Sequence, residues 1–135
     1  MIFTSKRFFL FLVVGGFAAA VNFLTRIVLD IFFNFSFSIV LAYFTGMIIA
    51  YVLNRSIVFS QTSVSVSRSF FYFSIVNLLA VFQTWLVSVF LAYSVLPYFQ
   101  IEKFIFEISH AIGISIPILT SYFGHKYLSF QISDR

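Results

Sequence analysis

Two segments of the sequence carry polar and cationic side chains in an arrangement suited to binding a phosphate. The segments AYVLNRSIVF (50–59) and SYFGHKYLSF (121–130) both contain a tyrosine, a hydrogen-bonding residue, a cation and a phenylalanine at the same spacing. Arginine binds a phosphate through two parallel hydrogen bonds, whereas lysine acts as a point charge. We therefore predict a site for an anionic phospho-headgroup. Its residues are Asn54, Arg55, Arg68, His125 and Lys126.

A second polar set lies inside the first apolar stretch. Asn22, Arg26 and Asp30 recur every four residues and therefore share one face of a helix. An ionisable group at membrane depth costs about 2.5–3.5 kcal/mol, so Arg26 needs a partner or a route to water. Either its guanidinium extends outward to Asp30, or it faces the protein interior with Asp30 or Glu107 as counter-ion. In the second case Asn22, Arg26 and Gln83 form a polar path through the membrane.

Glu107 and His110 are a third polar feature, because their spacing places them on one helix face. They could form a proton relay or a metal pair, but a hydrogen-bonded pair near the membrane surface is the favoured interpretation. The sequence contains no Gly-rich phosphate loop, His-Glu-x-x-His pattern or nucleophile elbow. We therefore expect no enzyme activity, no metal and no cofactor.

These residues are embedded in a very apolar chain. Of its 135 residues, 61% are hydrophobic and only 9% are charged, and the mean hydropathy is +1.07. A helix needs roughly 20 apolar residues to cross a bilayer. Four stretches meet this requirement and predict an all-α membrane protein with spans at about 8–31, 36–58, 70–95 and 104–127. The polar connection Ser60–Arg68 is too short to fold by itself, so residues 1–135 are predicted to form a single domain.

The first span has a second interpretation, as a secretory signal peptide. Lys6 and Arg7 precede an apolar run in which Ala18 and Ala20 could mark a cleavage site. The apolar run continues to Phe33, however, and three more spans follow. We therefore predict that the first span is retained as a membrane helix.

The basic residues indicate the orientation of the spans. Six of them fall at one membrane face, whereas the opposite face receives three acidic residues and one lysine. Because lysine and arginine are enriched on the cytoplasmic side of membrane proteins, both termini are predicted to be cytoplasmic. The same bias, together with contacts to anionic lipid headgroups, would explain Arg55 and Lys126 without a binding role. The six residues are Lys6, Arg7, Arg55, Arg68, Lys126 and Arg135.

The shared signature belongs to a longer internal repeat. An offset of 71 residues superposes the two signatures, and an offset of 61 residues aligns Arg7 with Arg68 and Asn22 with Gln83. Both copies have the same orientation if the termini are cytoplasmic. The chain is therefore predicted to consist of two repeated helical hairpins, related by an axis along the membrane normal.

Small residues recur every four positions on spans 2 and 4, and each stripe leads to one of the signatures. Such stripes allow membrane helices to approach closely. Helix packing alone explains them, but their position next to Asn54 and His125 also fits the wall of a cleft. The residues assigned to helix packing are Ala42, Gly46, Ala50, Gly113 and Ser121.

The order of these segments resembles the GtrA-like family of small four-helix bacterial membrane proteins. The resemblance covers essentially the whole chain, and its most specific motif is formed by Asn54, Arg55 and Phe59. Weaker support comes from the glycine pair in RFFLFLVVGGFAAAVNF. At the second signature the family usually has asparagine, where this chain has His125.

The resemblance implies translocation of a polyprenyl-phosphate-linked sugar, typically undecaprenyl phosphate glucose, across the bacterial cytoplasmic membrane. Membrane glycosyltransferases then use the sugar for O-antigen, teichoic acid or other surface polysaccharides. The expected partners are the lipid-linked sugar, membrane lipids and such glycosyltransferases, with no nucleic acid. Four helices are few for enclosing this headgroup, so we also expect a homo-oligomer.

Two other functions fit part of the sequence. A small multidrug transporter also has four short spans, but it needs a carboxylate in the middle of span 1, where residues 15–21 contain none. A non-transporting membrane partner of a glycosyltransferase fits the same composition as a flippase. The sequence does not separate these last two alternatives.

Overall fold

The computed structural model describes residues 6–131, and all regular secondary structure in that range is helical. Four helical spans are long and apolar enough to cross a membrane, and each overlaps one predicted span. They are Lys6–Leu29, Phe35–Val58, Val66–Tyr98 and Ile105–Ser129. The predicted all-α membrane fold with four spans is therefore confirmed.

The α-helices within these spans begin and break where the sequence supplies the appropriate residues. We label the five longest α1 (Lys6–Leu29), α2 (Phe35–Leu53), α3 (Val66–Phe90), α4 (Ile105–Ser115) and α5 (Ile118–Gly124). Span 3 continues beyond α3 through a π-helical turn, Leu91–Val95, and a three-residue helix, Leu96–Tyr98. Asn34 begins α2 by accepting a hydrogen bond from the Phe37 amide at 2.9 Å, and Ser65 begins α3 in the same way. Pro117, which has no amide hydrogen, separates α4 from α5.

Spans 2 and 4 end in matching π-helical turns. These turns comprise Asn54–Val58 and His125–Ser129. Phe59 and Phe130 follow them and stack with ring centroids 4.9 Å apart and planes 18° apart. The two turns begin at Asn54 and His125, which the offset of 71 residues aligns. The two-hairpin repeat itself stays a prediction.

The two ends of the bundle carry different parts of the chain. We call the end with Lys6, the 59–65 connection and Ser129 the terminal end. The opposite end, with the 30–34 and 99–104 connections, is the hairpin end. The cytoplasmic position of the terminal end stays a prediction, and Arg135, which contributed to it, lies outside the described residues.

An aromatic cluster closes the terminal end. Phe8 and Phe11 of α1 pack edge-on against Tyr122 of α5, with ring centroids 4.9 and 5.1 Å apart. Phe59 and Phe130 lie in the same buried cluster. Such aromatic pairs contribute about 0.5–1.5 kcal/mol beyond the area that they bury. This matters here because lipid supplies no hydrophobic force between helices.

Two of the glycines assigned to helix packing lie at close helix contacts. A Cβ atom on Gly46 would lie 3.0 Å from the Ala18 carbonyl oxygen and 3.1 Å from the Asn22 Cβ. A Cβ atom on Gly113 would overlap the Ser88 hydroxyl of α3. The missing side chains therefore allow α2 to contact α1, and α4 to contact α3. The other residues assigned to packing are buried or half-buried: Ala42, Ala50 and Ser121.

Gly46→Leu is expected to lower the melting temperature of the purified protein. The new side chain must enter the contact with α1, and such overpacking costs about 1–3 kcal/mol. Gly16→Leu is the matched control, because a Cβ atom on Gly16 meets no atom of the described residues within 4 Å. A thermal-shift measurement in one detergent compares the two variants. Equal melting temperatures would contradict the close packing at Gly46.

Candidate functional site

A cavity of about 260 Å³ lies between the four spans. It extends from the aromatic cluster at the terminal end past the middle of α1, and it is much larger than the roughly 30 Å³ of one water molecule. Among the residues that the structure describes, none that lines it is Arg, Lys, Asp or Glu. Its lining therefore suits a neutral, hydrogen-bonding group. The polar side chains are Asn22, Tyr43, Asn54, Asn77, Ser115, Ser121 and His125.

The cavity opens sideways between α1 and the fourth span. Leu12 and Gly16 of α1 line the cavity and are exposed at the surface. Ser115 and Ile118 of the fourth span also line the cavity and are exposed. The main helix contacts pair α1 with α2 and α3 with α4, which leaves this gap. A side opening lets a polar headgroup enter while an attached lipid chain stays in the bilayer.

Two buried asparagines that line the cavity have side-chain acceptors without a partner. The Asn54 Nδ2 donates to the Ala50 carbonyl oxygen at 2.8 Å, which fixes the side chain at the start of the π-helical turn. Within residues 6–131, neither its Oδ1 nor the Oδ1 of Asn22 has a hydrogen-bond partner. An unpaired buried acceptor costs about 1–3 kcal/mol. Both oxygens are therefore prepared to accept hydrogen bonds from a ligand.

His125 forms the base of the cavity together with Asn77. Its ring stacks on Phe73 with centroids 4.0 Å apart and planes 14° apart. The Asn77 Nδ2, which only donates, lies 3.4 Å from the ring Nε2, so that nitrogen accepts. The other nitrogen, Nδ1, then donates to the Ser129 hydroxyl at 3.2 Å. The imidazole is thus held in one orientation by its neighbours.

Arg55 lies outside the cavity lining and holds the 59–65 connection. Its Nη1 donates to the Ser69 hydroxyl at 2.6 Å and its Nη2 to the Val64 carbonyl oxygen at 2.9 Å. The Tyr51 hydroxyl bonds the same Ser69 oxygen at 2.8 Å. Both terminal nitrogens of the arginine therefore have partners within the protein.

The other two predicted cations also lie at the terminal end but outside the cavity lining. Arg68 is exposed, and its guanidinium carbon lies 5.9 Å from the Tyr72 ring centroid. Lys126 is buried, and its Nζ lies 5.2 Å from the Tyr127 ring centroid and 5.9 Å from that of Tyr122. The structure thus brings Asn54 and His125 into one cavity and leaves the three cations around it.

The hairpin end contains the buried ion pairs of Arg26. Arg26 is fully buried, with 0% of its surface exposed. Its Nη1 forms a salt bridge with Asp30. The Nη2 lies 3.6 Å from the Glu107 Oε1. The rings of Phe23 and Phe35 lie 5.5 Å from its guanidinium carbon. Arg26 therefore sits inside the bundle with both candidate counter-ions.

Gln83 and His110 differ in their relation to these groups. Gln83 is half-buried on α3, near Thr120 at 3.5 Å, and does not line the cavity. His110 is fully buried, and neither ring nitrogen has a hydrogen-bond partner in the described part of the chain. The expected hydrogen-bonded pair of Glu107 and His110 is therefore wrong, because Glu107 turns toward Arg26.

The transmembrane-domain model of the GtrA/DPMS family matches residues 10–130 of the chain. The chain belongs to the GtrA/DPMS family. Comparisons with curated proteins and with solved structures found no match. Family membership and the four spans make this a multi-pass membrane protein that is involved in handling lipid-linked sugars.

In this GtrA/DPMS chain the matched range contains the whole cavity lining, from Phe11 to His125. The sequence pattern predicted Asn22, Asn54 and His125 as site residues but not Asn77. The signal that could have found it is an amide side chain inside the apolar third span. Its contact with His125, 48 residues away, depends on the packing of α3 against the fourth span.

Proposed function

We propose that this protein translocates a polyprenyl-phosphate-linked sugar from the cytoplasmic to the outer leaflet of the bacterial cytoplasmic membrane. The observation that carries the proposal is the uncharged, amide-lined cavity with a side opening toward lipid. Family membership supports a lipid-linked sugar as the substrate class. The proposed substrate is undecaprenyl phosphate glucose, and no covalent bond forms or breaks during its passage.

The cavity binds the sugar, which is the neutral part of the substrate. The Oδ1 atoms of Asn22 and Asn54 accept hydrogen bonds from sugar hydroxyls, replacing partners that these atoms otherwise lack within the described residues. The rings of Phe11 and Phe73 line the same space and contact the apolar faces of the sugar. The polyprenyl chain passes through the opening between α1 and the fourth span and stays in the bilayer.

The cations at the terminal end attract the phosphate before the sugar enters. Arg68 is exposed there, and Arg55 and Lys126 add positive charge on either side of Asn54 and His125. This role depends on the predicted cytoplasmic position of the terminal end. Membrane glycosyltransferases for surface polysaccharides then receive the sugar on the opposite side, and a homo-oligomer widens the protein around the substrate.

Ala19→Leu is expected to abolish most translocation, because Ala19 lines the cavity and the larger side chain occupies the sugar position. Ala20→Leu is the matched control, since the neighbouring Ala20 is exposed and lies outside the lining. The measurement is transfer of the sugar to the surface polymer in a strain that lacks the native gene, at equal membrane abundance. Equal transfer by both variants would show that the cavity does not hold the sugar.

A further inference from the structure

We propose that the hairpin end contains a second binding site, for a phosphate oxyanion, formed by Arg26 and His110 with Glu107 as the group that the oxyanion displaces. The site is separate from the cavity lining. Its ligand is the phosphate group of a membrane lipid, which is common to the polyprenyl carrier and to ordinary phospholipids. This inference rests on the proposed function only for the identity of that lipid.

The arginine presents an unfilled binding edge. Its Nη1 is engaged by Asp30, but its Nε and Nη2 have no hydrogen-bond partner in residues 6–131. Those two nitrogens form the edge that binds a phosphate or a carboxylate through two parallel hydrogen bonds. A fully buried guanidinium with unused donors is costly in a bilayer, where water does not supply acceptors. An oxyanion that fits this edge removes the cost.

His110 shares an aromatic neighbour with Arg26. The imidazole and the guanidinium of Arg26 pack on one ring, that of Phe23, with separations of 5.8 and 5.5 Å from its centroid. The imidazole lies nearly parallel to this ring, at 11°. Neither ring nitrogen is bonded among the described residues, so an N–H of the imidazole is available to the anion.

Glu107 occupies the place of the anion in the present structure. Its Oε1 lies 3.6 Å from the Arg26 Nη2, which is too long for a hydrogen bond, and its side chain is 38% exposed. Asp30 is closer to Arg26 and less exposed, at 26%. Replacing Glu107 by a phosphodiester, which is singly charged, leaves the net charge beside Arg26 unchanged, and a phosphomonoester adds negative charge there. Glu107 can therefore turn toward the aqueous surface when the phosphate binds.

The site also connects with the cavity. Asn22 lines the cavity and lies one helical turn before Arg26, a rise of about 6 Å along α1. One molecule can therefore touch both residues. With its phosphate at Arg26, the attached sugar of a lipid-linked substrate would still reach the amide of Asn22.

The only tryptophan of the chain, Trp85, is a reporter for this site. It bonds Ser36 and packs against the cluster that contains Phe35, whose ring contacts Arg26. The experiment titrates sugar-free polyprenyl phosphate into the purified full-length protein in a maltoside detergent, which contains no phosphate, and follows Trp85 fluorescence. A parallel titration uses phosphatidylglycerol. Tighter binding of polyprenyl phosphate assigns the site to the carrier lipid, and equal binding assigns it to lipid phosphates in general.

Glu107→Gln is expected to tighten phosphate binding about tenfold. The variant removes the carboxylate charge that competes with the phosphate for Arg26, and one such charged contact corresponds to about this change in affinity. His110→Phe, which keeps the ring, is expected to weaken it to a similar extent. Lys103→Gln is the control for general electrostatics, because this exposed cation at the hairpin end lies outside the site. Its affinity should equal that of the wild type.

Unchanged or weaker binding by Glu107→Gln would overturn the proposal, and so would the absence of any fluorescence response to either lipid. Because Glu107 is only partly buried, this variant provides the test even if His110→Phe fails to fold. Failure of the proposed function gives a different result. In that case the phosphate titrations behave as described, whereas polyprenyl phosphate glucose binds no differently in a variant whose cavity amides are removed.

Discussion

Replacing both Asn22 and Asn54 by leucine is expected to reduce translocation of the lipid-linked sugar by at least about tenfold, because each unmade hydrogen bond to a sugar hydroxyl costs about 1–3 kcal/mol. Leucine has the same number of side-chain heavy atoms as asparagine and the same branching, but it carries no group that forms hydrogen bonds. Both residues line the cavity, and within the described residues their amide oxygens have no hydrogen-bond partner. The measurement is sugar transfer to the surface polymer in a deletion strain, with membrane abundance checked by blot.

Gln83→Leu is the matched control for this double variant. It also removes an amide from a membrane span, but Gln83 lies outside the cavity lining. Near wild-type transfer is expected for Gln83→Leu. Wild-type transfer by the well-expressed double variant would show that the cavity amides do not bind the sugar.

Arg55→Lys is expected to lose most translocation although it keeps the charge and the number of spans. The arginine bridges Ser69 and the Val64 carbonyl oxygen with two separate nitrogens. A lysine ammonium is a single point and cannot maintain both contacts. The π-helical turn that starts at Asn54 then loses its attachment to the 59–65 connection. The same substitution also removes the paired donors with which Arg55 could bind the phosphate.

The exposed Arg68 provides the comparison for this prediction. Arg68→Lys should keep nearly full transfer, because Arg68 contributes only a field at the surface. Both variants should be present in the membrane in equal amounts. Full activity of Arg55→Lys would contradict this prediction and leave Arg55 with a role in membrane orientation only.

The spans were predictable from hydropathy because membrane helices satisfy all backbone hydrogen bonds within one segment. The stripe at Gly46 was predictable for a similar reason, since the spacing of small residues fixes which helix face can approach a neighbour. Asn54 and His125 were selected by their repeated spacing, and they do line one cavity. In these cases the relevant information is local in the sequence.

The partners of the charged residues were not predictable in the same way. Arg55 is bonded by Val64 and Ser69, which lie in and just after a polar connection without a periodic pattern. His110 stacks on Phe23 of α1, a contact between the first and fourth spans. Such pairings depend on how the four spans pack. One sequence gives the helix face of each residue but not the neighbour that this face meets.

Flipping by the purified protein tests the central claim most directly. Wild-type protein in liposomes that contain undecaprenyl phosphate glucose should move the sugar between leaflets, measured as the fraction oxidised by a membrane-impermeant reagent added outside. We expect oxidation beyond the outer-leaflet share at a rate well above that of protein-free liposomes, and loss of this gain in the variant with leucine at positions 22 and 54. A rate equal to that of protein-free liposomes would contradict it and favour a non-transporting partner of a glycosyltransferase.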